Sequence, residues 1–258
     1  MSFDPVSRQE PSTFTGDFIM THRKSAFELT AAEQNRFLQV ITAMNTDNDP
    51  TLYAQFVGIH ADMRHRMHTG MGGGAVGRQR FLPWHRDFLL KFETAMQQID
   101  PAAFIPYWHW STDRALPPWL AEINFTVIVP ATDMTAPQIV NVIRHLQLDA
   151  LPSDAQIRHL ETNTKMNYTQ FTATLESYHN TVHALVGGTM NDIMISPCDP
   201  VFWMHHAEVD RICSIWQADP ANQAKRPGLS PTSAILDPWD PDTVNTVASI
   251  TTLEYDYI

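Results

Sequence analysis

The stretch DPVFWMHHAEVDRICSIWQ, residues 199–217, decides the fold. Asp199 and Pro200 read as a helix start: the aspartate caps free backbone N–H groups, and proline has no N–H to lose at the first helical position. Helical spacing then puts His206, Val209, Cys213 and Trp216 on one face. His205 and His206 are adjacent, so they point about 100° apart and cannot both face one core. His206 shares the apolar stripe and is the ligand candidate; His205 reads as a hydrogen-bonded structural histidine behind the ligands. Asp210, one turn past His206, is placed to orient an imidazole as an acceptor.

Working outward, LESYHNTVH (175–183) puts His179 and His183 at i and i+4, so both project from one helix face toward one metal ion. Their helix spans roughly 169–186, with Phe171, Leu175, Tyr178, Val182 and Leu185 apolar, and Gly187-Gly188 stops it. RFLPWHRDFLLKFE (80–93) carries His85, Phe88, Leu89 and Phe92 on one face of a helix beginning near Pro83, ended by Asp100-Pro101. Earlier, Leu52, Phe56, Ile59, His60, Met63 and Met67 are helically spaced. His65 lies about 140° round that helix from His60, and His68 about 12 Å along it, too far to share a metal unless the chain turns back. The glycine-rich TGMGGGAVG (69–77) permits that turn. The set of choice is His60, His68 and His85, with His65 in reserve. Thr30 and Glu33 form a capping box that starts a further helix. Residues 111–165 look irregular, with one helix over 137–148. The class is therefore mainly α, a four-helix bundle whose core holds a metal site, with long irregular connecting loops.

The bulk of the sequence agrees with a single domain over 1–258, residues 1–20 forming an extended arm. Hydrophobic content is 43% and charged content 17%, which suits a buried core. The net charge of −11 opposes nucleic acid and anionic membrane. Two cysteines, Cys198 and Cys213, exclude a disulfide framework. No signal peptide or run of about 18 apolar residues is visible, so a cytoplasmic location is the expectation, with export on a carrier partner as the other route. Oligomeric state is not legible.

These motifs resemble those of the tyrosinase and catechol oxidase family, the type-3 dicopper proteins. RFLPWHRDFLLKFE resembles the first copper motif and DPVFWMHHAEVDRICSIWQ the second; PYWHW (106–110) resembles PYWDW, and TTLEYDYI resembles the Tyr-x-Tyr motif that closes the core domain. The likeness runs from about Arg23 to Ile258. It implies copper A on His60, His68 and His85, copper B on His179, His183 and His206, O2 as co-substrate and small phenols as substrates. Three imidazoles per copper leave positions open for O2. The resemblance further implies that Glu176 and Asn180 hold a water that deprotonates incoming phenol and that Ile193 lies near the active-site entrance; a copper-delivery partner is one route by which the metals could be loaded. The expected activity is ortho-hydroxylation of monophenols and oxidation of o-diphenols to o-quinones. The alternatives are a catechol oxidase or o-aminophenol oxidase without useful monophenolase activity, a haemocyanin-like O2 carrier, and a di-zinc or di-iron hydrolase. The chain departs from the family pattern in four respects. Val76 stands where many tyrosinases have the second copper-A histidine. No cysteine lies near copper A to form a thioether. His109 replaces the aspartate of PYWDW, and with only Ile258 after Tyr257, no C-terminal blocking domain is expected.

Overall fold

The computed structural model describes residues 20–46, 48–121, 123–132 and 136–258, so the arm expected over 1–20 lies outside the described residues except for Met20. The elements, in order, are β1 (Thr21–Arg23), α1 (Ala31–Met44), α2 (Leu52–Ala61), α3 (Gly74–Ile99), α4 (Pro118–Ala121), β2 (Thr126–Val129), β3 (Gln138–Asn141), α5 (Asp154–Glu161), α6 (Tyr168–Val186), α7 (Val201–Ala218), α8 (Pro231–Ala234) and β4 (Tyr255–Tyr257). The class is mainly α, and α2, α3, α6 and α7 form the bundle. α3 packs on both α6 and α7. Phe56 of α2 meets Phe92 of α3 at 5.2 Å and Trp203 of α7 at 6.1 Å, while Phe92 stacks on Trp203 at 3.5 Å. Phe171 of α6 stacks on Trp216 of α7 at 4.0 Å. None of the described helices is long and apolar enough to cross a membrane.

Local chemistry accounts for most boundaries. The Thr30 hydroxyl accepts the Glu33 N–H, and the Glu33 carboxylate accepts the Thr30 N–H at 2.8 Å, as the capping box requires. Asp199 Oδ1 accepts the Val201 N–H at 2.9 Å, with Pro200 between them, so α7 starts where the sequence indicates. α3 begins nine residues earlier than its expected start at Pro83, which sits inside the helix. Proline removes the donor that would bond the Gln79 carbonyl, and the Tyr168 hydroxyl of α6 donates to that carbonyl instead, at 3.4 Å.

The helix expected over 137–148 is a hairpin strand. β3 pairs antiparallel with β2 in the register Val127↔Val140 and Ile128↔Ile139. Val127 and Val140 are buried while Ile128 and Ile139 are exposed. Alternation with β-branched residues outweighs the weaker helical reading of the same apolar positions. Conversely, α5 lies in the stretch expected to be irregular, opened by a Ser153–Gln156 capping box.

β1 pairs in parallel with β4, and beneath this pair lies a buried charged clasp. Arg23 makes two hydrogen bonds to Glu93, at 3.0 and 2.9 Å, and one to the Tyr257 hydroxyl at 2.8 Å. Asp210 accepts from Arg86 at 2.5 Å and from the hydroxyls of Tyr255 and Tyr257, each at 2.7 Å. The clasp thus ties β1, α3, α7 and β4 together.

Candidate metal centre

Six histidines, five buried and His183 half-buried, form two groups of three that share a wall. His179 and His183 stand one turn apart on α6, and His206 faces them from α7. Nε2 of His206 lies 3.2 Å from Nε2 of His179 and 3.4 Å from Nε2 of His183. The other nitrogen of each α6 histidine is occupied: His179 Nδ1 by Asn180 Oδ1 at 3.0 Å and His183 Nδ1 by the Met190 carbonyl at 2.6 Å. A neutral imidazole has one N–H. With Nδ1–H donating, both Nε2 atoms of the α6 pair present lone pairs to the same point.

The second group comes from three different pieces of chain. His60 is on α2 and His85 on α3, where its Nδ1 lies 2.8 Å from the Phe81 carbonyl. His68 lies in the loop before α3, its Nε2 3.4 Å from Nε2 of His60. The two groups meet where the His85 and His206 rings stack at 4.3 Å and the His68 and His179 rings at 5.8 Å. Phe202 packs on both sides, 4.1 Å from the His206 ring and 5.0 Å from the His60 ring.

This donor set fits a metal. Two nitrogens each about 2.0 Å from one ion at a tetrahedral angle stand about 3.3 Å apart, and the observed separations are 3.2 to 3.4 Å. Burial holds all six imidazoles neutral, the form that ligates. Burial with His183 nearby lowers His68 to about 3, and burial lowers His183 to about 4. His60, His85, His179 and His206 are driven well below their ordinary value, first by burial and then by one another. His85 Nε2 has no hydrogen-bond partner among the described residues.

His65 lies apart from both groups. α2 ends at Ala61, Asp62 is extended, and the following 3-10 turn stacks the His65 ring on Trp84 at 6.1 Å. The chain then turns back, so that His68 reaches His60 and His85 from the loop. Glycine makes this approach feasible: a Cβ on Gly77 would stand 1.8 Å from the His68 carbonyl oxygen.

Two expectations are corrected. Asp210 does not orient an imidazole, because Arg86, Tyr255 and Tyr257 take both its oxygens. His205 is not hydrogen-bonded among the described residues; it faces the same pocket, with a ligand atom within 4.8 Å of those of His179, His183 and His206. Divergence of about 100° at the helix axis still lets two rings converge, and their centroids are 5.2 Å apart.

Glu176 is buried on α6, with its carboxylate accepting from Thr69. Asn180 is exposed apart from its bond to His179. Ile193 is half-buried, with its backbone close to His60. His109, at the position of the family aspartate, stands 3.9 Å from Glu208 on α7. Thr69, Gly77 and Phe202 serve the site without having been singled out in the sequence. The polar-glycine run after His68 is the one local hint for the first two.

The common central domain of tyrosinase matches residues 50–136 and 122–219. A tyrosinase of Streptomyces lincolnensis is 31% identical over 244 residues, covering 77% of this chain and 83% of its own. The fold is shared with a polyphenol oxidase from Thermothelomyces thermophila, at a TM-score of 0.70, 19% identity, and coverage of 93% and 89% of the two chains. It is shared also with a functional unit of octopus haemocyanin, at a TM-score of 0.70, 23% identity, and coverage of 92% and 68%. With two histidine triads in one bundle and these matches along most of its length, the chain belongs to the tyrosinase family of type-3 copper proteins.

Proposed function

We propose that this protein is a tyrosinase, hydroxylating monophenols to o-diphenols and oxidising o-diphenols to o-quinones with O2. The observation that supports this most is the pair of abutting neutral histidine triads in one buried pocket. His60, His68 and His85 would hold one copper, and His179, His183 and His206 the other. The two bound coppers supply the oxygen and electron chemistry, which the side chains cannot.

The chain's own residues bind, orient and move protons. The Phe81 and Met190 carbonyls fix the tautomers of His85 and His183, and Asn180 fixes that of His179, so each presents Nε2 inward. Phe202 keeps the wall between the triads apolar. Each Glu176 oxygen retains a second lone pair beyond its bond to Thr69. Glu176 with Asn180 can therefore keep a water on the substrate side of His179 that accepts the phenol proton. A simple phenol has a pKa near 10, so such an acceptor is needed at neutral pH.

The test is metal analysis together with a monophenol and a catechol assayed on the same preparation. About two coppers per chain and oxidation of both substrates are expected. Catechol turnover alone would make the protein a catechol oxidase. Reversible O2 uptake with no turnover would make it an O2 carrier, and full activity with zinc or iron in place of copper would sink the copper reading.

A further inference from the structure

Glu176 belongs to the helix that supplies His179 and His183, yet its carboxylate reaches the opposite triad. Oε1 accepts the Thr69 backbone N–H at 2.7 Å, and Oε2 accepts the Thr69 hydroxyl. Thr69 directly follows His68, the one member of the six carried by a loop rather than a helix. The side chain of Glu176 is 4% exposed, so its charge has left water and depends on such donors.

Apart from the packing of the Met67 and His68 side chains, the loop is held by its backbone. The His68 carbonyl oxygen would lie 1.9 and 1.8 Å from a Cβ on Gly73 and on Gly77. The Gly74 N–H donates to the Thr69 carbonyl at 2.9 Å, and Arg80 donates to the His65 carbonyl at 2.7 Å. These contacts seat the loop on α3. They do not tie it to α6, and the distance between the triads depends on α6. Beside the ring contact of His68 with His179 at 5.8 Å, Glu176 makes that connection by hydrogen bonds, through the residue next to the ligand.

We infer that Glu176 is a positioning residue for copper A: it ties the His68 loop to the copper-B helix, so that the two metal pockets keep one spacing. This rests on the dicopper reading above and adds to the proton-accepting role a second one that needs only hydrogen-bond acceptors, not charge. Removing a partner of this kind lowers metal affinity by roughly 10- to 100-fold.

The experiment is copper titration of the full chain as wild type, Glu176→Ala, Glu176→Gln and Thr69→Val, with metal content and the paramagnetic signal of an isolated cupric ion both recorded. Wild type should bind two coppers as a coupled pair with no such signal. Glu176→Ala should bind its second copper roughly 10- to 100-fold more weakly and show the isolated-ion signal when half loaded. Glu176→Gln restores the wild-type titration, because its amide oxygen accepts the Thr69 N–H and its amide nitrogen donates to the Thr69 hydroxyl. Thr69→Val, which keeps the N–H alone, falls between. Adding His68→Ala to Glu176→Ala should cost no more copper than His68→Ala does alone, since both act at one site. Thermal unfolding of the copper-free proteins checks that each variant is folded; should Glu176→Ala fail to fold, Thr69→Val against Glu176→Gln carries the comparison. Unchanged binding of two coppers by Glu176→Ala, or by Thr69→Val in that case, overturns the inference. A wild type that takes up no copper overturns the dicopper reading first, and this inference with it.

Discussion

The bundle buries two dense polar assemblies, and they differ in whether they are complete. Around Asp210 the charges answer one another: two arginines, two carboxylates and two tyrosine hydroxyls pair off, leaving Arg86 Nη2 as the clasp's one unpartnered nitrogen among the described residues. In the histidine pocket His60 Nδ1, His85 Nε2, His206 Nδ1 and both nitrogens of His205 lack hydrogen-bond partners among the described residues. Buried polar groups are normally satisfied, and those that are not call for an explanation. The clasp is a joint that the protein finishes with its own residues. Of the pocket's unpartnered nitrogens, His85 Nε2, on a ring whose Nδ1 is already taken by the Phe81 carbonyl, is the atom an added metal would complete, and that contrast separates a structural network from a functional one.

The sharpest way to break the contrast is to remove one member of each. His68→Ala should take copper content from two per chain to one and abolish phenol oxidation, whereas His65→Ala should keep both metals. The reverse pattern would hand the copper-A position to His65. Asp210→Ala leaves buried guanidinium groups uncompensated and should lower stability by about 3–5 kcal/mol in urea unfolding. Copper content in the protein that remains folded should stay at two. Copper loss without destabilisation would return Asp210 to the role of ligand support.

A subtler probe lies on the pocket's rim. Glu176→Gln removes a charge at constant size, and should depress monophenol hydroxylation by about 100-fold while o-diphenol oxidation falls far less and both coppers remain. A catechol can pass its protons on during its oxidation, so it depends less on this acceptor. Equal losses on both substrates would make Glu176 purely structural.

The gentlest probe is acid applied to the copper-free protein. His68 and His183 are held down at about 3 and about 4 in the fold, against about 6.5 in an unfolded chain. Below pH 6.5 the unfolded chain therefore takes up protons that the folded one refuses. The stability these groups contribute is complete above that value and drains away as pH falls toward their folded values. Between pH 7 and 6 the loss should be under about 1 kcal/mol per histidine, steepening below. Urea midpoints at pH 7, 6 and 5 would reveal it, and a flat profile would show the imidazoles are not buried neutral.

What the sequence made legible follows the reach of each interaction. His179 and His183 are a matter of one helical turn, and the Thr30–Glu33 capping box spans three residues, so both could be read directly. His68 required the chain to reverse, and the glycines showed that it could without showing where it would go. The hydrogen bond from Tyr168 that accommodates Pro83 inside α3 comes from across the bundle, so the helix start was placed too late. Asp210 was misjudged for the same reason: its partners Tyr255 and Tyr257 are 45 and 47 residues away, while the imidazole it was paired with was one turn away. His205 shows a limit of angular arguments, since ring reach can undo a divergence set at the helix axis.

The pairing of β1 with β4 has a consequence for synthesis. Arg23 is made 234 positions before its partner Tyr257. Domains tend to fold from the N-terminus as they emerge, but here β1 has no strand neighbour until β4 has been made. Asp210 likewise emerges before the tyrosines that satisfy it. Until β4 has been made, Arg23 and Asp210 lack the tyrosine hydroxyls that complete the clasp, so its closure follows the synthesis of β4. Closing so long a loop also makes the final step slow, because distant contacts are entropically expensive to bring together.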